Sequence, residues 1–154
     1  MKRSEQLYPL SWQHHNGLMA VLLLKKGVHK KADVKVMTRF IQQIRKEELD
    51  EHFEAEEKSL ILFSDKYHQL GTLYKKMIAE HTSIRQCYRE LENPSYAAIE
   101  KFYQLLNQHI RFEEREYFPA IEATLSAKEL TALSKDLSHL HHQSCSNFPI
   151  KFWE

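Results

Sequence analysis

His52-Phe53-Glu54-Ala55-Glu56-Glu57 and His109-Ile110-Arg111-Phe112-Glu113-Glu114 repeat one pattern, His-x-x-x-Glu-Glu, in two separate stretches of helical character. At about 100° per residue, a step of four returns a side chain to the same helix face one turn along. Each stretch therefore offers a histidine and a glutamate, His52 with Glu56 and His109 with Glu113, side by side on one face. Two such half-sites point to a shared centre for two metal ions, and only helices that face one another can build it.

The rest of the chain reads as helix around these two stretches. Three glycines and four prolines occur in 154 residues, and no segment alternates apolar and polar residues long enough to argue a sheet. Ser11 is placed to open a first helix, Asp33 to cap a second that runs to about Phe63, and a turn near Ser64 and Asp65 leads to a third that extends to about Leu91. Pro94 breaks the chain and Ser95 caps a fourth helix, which must kink or restart at Pro119, while Ser126 precedes a shorter fifth. The expected fold is all-α: an up-down antiparallel four-helix bundle over about residues 11–120, with an additional C-terminal helix and tail over about 126–154. The ending NFPIKFWE is expected to pack back through Phe148, Phe152 and Trp153.

Periodicity turns the histidines inward. Ile41, His52 and Phe63 share a stripe on the second helix; Leu70, Tyr74, Ile78, His81, Ile84 and Tyr88 share one on the third; Phe102, Leu105, His109, Phe112 and Glu116 share one on the fourth. His52 lies 13 residues before Asp65 and His81 lies 16 after it. At about 1.5 Å per residue the two stand at nearly the same height. The turn near Asn93 brings His81 and His109 level in the same way.

The first helix supplies the fourth wall, and there His14 and His15 are adjacent, about 100° apart, so one at most faces the centre. Leu18, Met19 and Leu22 place the apolar face on the side of His15, which is taken as the ligand, with His14 as the alternative. The candidate metal ligands are His15, His52, Glu56, His81, His109 and Glu113. Burying carboxylates without a cation is costly enough to protonate them, and a metal removes that cost. Imidazole with carboxylate suits iron, zinc, copper, nickel and manganese alike, so the donors do not select the metal.

Together HHNGL in the first helix, His52 to Glu57, EHTSIR around His81, and His109 to Glu114 followed by Phe118-Pro119 resemble the hemerythrin-like family with the HHE cation-binding domain. The resemblance spans about residues 11–120 and implies two iron ions in a non-haem centre with carboxylate and oxo or hydroxo bridges. It makes His15, His52, His81 and His109 terminal ligands and Glu56 and Glu113 the bridges. Oxygen-carrying members have a further histidine four residues after the third-helix ligand, where this chain has Arg85. That departure points to the four-His, two-Glu type, like bacterial di-iron proteins implicated in iron-sulfur repair and nitric oxide response. The expected partner is a small diatomic ligand, oxygen or nitric oxide. A di-iron redox enzyme and a metal-free or zinc-loaded helical module are the alternatives.

Other chemistries find less support. Ferritin-type sites place a glutamate three residues before each ligand histidine, and those positions are Leu49, Ile78 and Leu106. The His-Glu-x-x-His motif of zinc proteases is absent. With 22 basic and 21 acidic residues, the net charge of +1 gives no general attraction to nucleic acid or anionic membrane. The longest apolar run, Leu18 to Leu24, is too short to span a bilayer, and MKRSEQLYPL lacks a signal-peptide core, so a single cytoplasmic domain is expected. Cys87 and Cys145 read as reduced thiols. The run His139, Leu140, His141, His142 resembles a metal tract by composition, but its place beyond the bundle favours a solvated or helix-end role.

Overall fold

The computed structural model describes residues 2–141 and 143–154, and among these every regular element is helical. After a 3₁₀ turn at Glu5–Leu7 comes α1, Tyr8–His29, then α2, Val34–Ile44, and α3, Asp50–Lys66. These are followed by α4, His68–Glu90, α5, Tyr96–Phe112, α6, Phe118–Thr124, and α7, Ala127–Leu137. Two π-helical stretches, Arg45–Leu49 and Glu113–Tyr117, join α2 to α3 and α5 to α6, so each pair forms one long rod. With α1 and α4 these make four rods; α1 packs against α5, α3 against α4, and α4 against α5.

Local chemistry accounts for most boundaries. Asp33 accepts from the Lys35 N–H and Ser95 from that of Ala98, both as expected of N-caps. Ser126 and Glu129 cap α7 reciprocally. α1 starts earlier than Ser11 suggested, because Pro9 sits in its first turn, where its missing N–H costs nothing. The Ser11 hydroxyl is instead shared between the two Glu114 carboxylate oxygens, each at 3.0 Å. α3 likewise runs through Ser64 and Asp65 and ends only at Tyr67, whose extended backbone turns the chain into α4.

The π stretches correct the sequence reading of the fourth rod. The Phe118 N–H bonds the Glu113 oxygen five residues back, which widens one turn and delays the helix phase by a residue. The inward stripe that reached Phe112 therefore continues at Tyr117 rather than Glu116. Glu116 is exposed and lies 3.7 Å from Lys76.

Two apolar clusters fill the interior. One holds Leu24, Met37, Phe40, Ile84, Phe102, Leu106 and Ile110 and is closed by Phe148 and Phe152 of the tail, whose rings pack edge-on against Phe40. The other holds Leu10, Leu60, Leu70, Met77, Phe112, Phe118 and Leu133. Every rod contributes to both, and between them lies a layer of buried polar groups: His14, His52, Glu56, His81, His109 and Glu113. Among the described residues no helix is long and apolar enough to cross a membrane.

Candidate metal centre

α1 supplies His14, α3 supplies His52 and Glu56, α4 supplies His81, and α5 with the turn after it supplies His109 and Glu113. All six are at most 4% exposed. The four-residue spacing works as the sequence implied: His52 Nε2 is 3.2 Å from Glu56 Oε1, and His109 Nε2 is 3.1 Å from Glu113 Oε1. Each carboxylate also reaches across the bundle, Glu56 Oε1 to His81 Nε2 at 3.3 Å and Glu113 Oε1 to His14 Nε2 at 3.0 Å. The imidazoles pair up, His14 with His52 at 3.1 Å and His81 with His109 at 3.2 Å between Nε2 atoms. Two groups of four donors result, His14, His52, Glu56, Glu113 and Glu56, His81, His109, Glu113, and both carboxylates belong to both.

On the first helix the structure brings in His14 and leaves His15 exposed. The apolar residues that favoured His15 do not mark the buried face: Leu22 is 45% exposed, and the residues that turn inward are Leu10, Gln13, His14, Gly17, Ala20 and Leu24. Gly17 is there because α5 comes close; a Cβ at this position would stand 2.8 Å from Ile110 Cδ1.

The outward nitrogen is hydrogen-bonded in three of the four histidines, and that of His14 is not. His52 Nδ1 lies 2.8 Å from Gln13 Oε1, and the Gln13 amide is oriented by its own N–H donation to the His141 backbone oxygen at 2.7 Å. His109 Nδ1 is 2.9 Å from Glu80 Oε1, and His81 Nδ1 is 3.3 Å from Glu57 Oε2. His14 Nδ1 has a looser ionic contact, 3.4 Å from Glu114 Oε2. Rings are fixed by stacking as well, His81 on Phe53 with centroids 4.0 Å apart and His14 on Phe118 at 5.2 Å. The second glutamate of each Glu-Glu pair, Glu57 and Glu114, is therefore a histidine anchor rather than a solvated charge.

Sequence reasoning missed Gln13 and Glu80 altogether. Glu80 carried a signal, since it directly precedes His81 and faces the neighbouring rod. Arg85 donates to both oxygens of Glu57, at 3.1 and 2.7 Å, and so turns toward that anchor. His139 and His141 lie beyond α7 near Glu51, at 3.7 and 3.8 Å, and both are more than half exposed, while His142 lies outside the described residues.

These partners decide whether a cation fits. Carboxylate and amide oxygens only accept, so a proton belongs on each Nδ1 and a lone pair on each Nε2. Four such lone pairs then face two carboxylates, and Glu56 Oε1, Glu56 Oε2 and Glu113 Oε2 have no hydrogen-bond partner despite full burial. Metal–nitrogen bonds of about 2.1 Å set neighbouring donors about 3 Å apart, close to the spacing of the imidazole pairs. The residues fit a pair of cations.

Protons must otherwise take that place. Burial, and then the charge of Glu113, drive Glu56 well above the usual carboxylate range. Glu113 is held well below it, because His109 and His14 outweigh burial. Against the effect of burial, Glu113 and Glu80 push His109 up to about 9, and Glu113 and Glu114 raise His14. Burial lowers His52 and His81, aided by their imidazole neighbours.

Comparison with known proteins gives one result consistent with this geometry. Neither the curated proteins nor the solved structures contain a match to the chain. The family model of the hemerythrin HHE cation binding domain matches residues 8–121, a range that begins with α1, ends in α6 and holds all six buried donors. This chain belongs to the hemerythrin HHE cation-binding family.

Proposed function

We propose that the protein holds two iron ions in an up-down four-helix bundle and binds or senses a small diatomic ligand, oxygen or nitric oxide. In this reading His14 and His52 are terminal to one ion and His81 and His109 to the other, while Glu56 and Glu113 bridge. The observation that carries it is the double role of each carboxylate: one Glu56 oxygen contacts His52 and His81, and one Glu113 oxygen contacts His14 and His109. Iron held by these residues would supply reversible binding of oxygen or nitric oxide.

Space favours a very small ligand. Beside His14, His52 and His109 lies a cavity of about 10 Å³, lined by Gly17, Leu49, Phe53, Leu106 and Ile110. That is about the room of one water molecule, which suits a diatomic and excludes an organic substrate without rearrangement. The same cavity admits redox turnover of nitric oxide or peroxide as the second reading.

Iron analysis with an optical spectrum of freshly purified protein tests the assignment. Two irons per chain and an oxo-bridge absorption support it; zinc, or no metal, refutes it. Anaerobic reduction followed by nitric oxide then separates the readings, since one stoichiometric spectral change marks a binder and continued consumption an enzyme.

A further inference from the structure

The two donor groups have the same composition, two histidines and two shared glutamates, yet their supports differ. Behind His81 and His109 stand two carboxylates, Glu57 at 3.3 Å and Glu80 at 2.9 Å. Behind His52 stands the neutral amide of Gln13, and behind His14 the carboxylate of Glu114 at the longer distance of 3.4 Å. Glu114 and Glu57 are each shared with an arginine, Arg3 and Arg85, but Glu57 hydrogen-bonds His81 whereas His14 Nδ1 has no hydrogen-bond partner.

A carboxylate that accepts the Nδ1 proton makes the opposite nitrogen a stronger donor, whereas an amide oxygen does so much less. We propose that the centre is built unequal, with the position held by His81 and His109 binding its cation more tightly and filling first, and Glu57 and Glu80 as the positioning residues responsible. The bridging glutamates cannot create this order, because both groups share them. Arg85 contributes by holding Glu57 in place through two hydrogen bonds. Loading is then sequential: the first cation enters at His81 and His109 and neutralises the bridging carboxylates, and the second enters beside the cavity at His14 and His52. The metal position next to the cavity is thereby the labile one.

This rests on the two-cation reading above, and the test separates the two. Full-length protein stripped by chelator is titrated anaerobically with cobalt(II), following heat and the visible ligand-field bands. Wild type is expected to take up two equivalents in resolved steps, the first tighter by about tenfold or more, the range that such supporting contacts command. Glu80→Gln keeps a hydrogen-bond acceptor, and Glu80 is partly exposed, so folding is preserved. It is expected to weaken the first step by about 10–100-fold and leave the second nearly unchanged. Glu57→Gln is expected to act in the same direction, and His52→Ala to retain the tight step that His81→Ala loses. Two equal steps in wild type, or a Glu80→Gln effect confined to the second step, overturns the inequality while leaving two cations in place. Uptake of fewer than two equivalents overturns the two-cation reading and the inequality with it.

Discussion

Glu56 and Glu113 look interchangeable in sequence, and their opposite protonation in the metal-free protein makes them separable by experiment. Two fully buried carboxylates share one layer, each against its own pair of imidazoles, and they cannot both be charged cheaply. Glu113 is driven toward its ionised form between His14 and His109, at 3.0 and 3.1 Å, while burial and the charge of Glu113 drive Glu56 toward its protonated form. Glu56→Gln replaces a neutral acid by a neutral amide of nearly the same shape, so the metal-free protein is expected to lose less than about 1 kcal/mol. Glu113→Gln removes the counter-ion of His109, whose imidazole is pushed up to about 9, and the carboxylate that raises His14, a change that costs about 3–5 kcal/mol in comparable buried pairs. For a chain of this size, about 2–4 °C per kcal/mol makes that a fall in Tm of roughly 6–20 °C. The assay is thermal unfolding of chelator-treated protein at pH 7, paired with metal analysis of untreated samples. Both variants are expected to lose metal, since bridging needs a carboxylate. Equal loss of metal-free stability, or a larger loss for Glu56→Gln, refutes the assignment of charge within the layer.

Further predictions concern protons, the Arg85 position and packing. Because His109 rises from its ordinary 6.5 to about 9, its contribution to metal-free stability is complete below pH 6.5 and lost as pH rises through 9. Thermal melts across that window should fall for metal-free protein and not for loaded protein, whose cations already hold the imidazoles neutral; parallel curves would exclude this. Metal uptake should release protons and weaken by about tenfold per pH unit for each proton displaced, as pH-dependent titration will show. Arg85→His is expected to add no nitrogen ligand, because Arg85 faces Glu57 and its guanidinium lies 5.6 Å over the Phe53 ring; a fifth nitrogen ligand by pulsed EPR would contradict it. Gly27→Ala puts a Cβ 2.6 Å from Met37 Sδ and 2.7 Å from Phe152 Cδ2. It should cost about 1–3 kcal/mol in denaturant melts, and a neutral result would mean that the tail shifts freely.

The bundle was readable because its signals were redundant: the His-x-x-x-Glu spacing, the caps at Asp33 and Ser95, and inward stripes on three rods agree. His52, His81, His109, Glu56 and Glu113 all meet in the structure for that reason. α1 misled because it is apolar on both sides. Its packed face mixes Leu10 and Leu24 with small and polar residues, Gln13, His14, Gly17 and Ala20, while Leu22 looks outward. A hydrophobic count therefore rotated the helix by one residue and selected His15. The π turns were illegible for a different cause, since they come from the chain's need to change phase ahead of residues packed by other rods, which no local pattern encodes. The supports of the histidines come from four different segments, so the His-x-x-x-Glu-Glu repeat could mark only Glu57 and Glu114, and Glu80 only by its place beside His81.

The hydrogen bond from Gln13 to the His141 backbone has a consequence for where this domain can be cut. Residue 141 lies beyond the stretch matched by the family, 8–121, although that stretch contains every inward donor. A fragment trimmed to the matched range would keep all six buried donors and still release the amide that orients His52. The tail acts as a remote latch on one imidazole, and shortening it should loosen the His52 ring without removing any of the six buried donors.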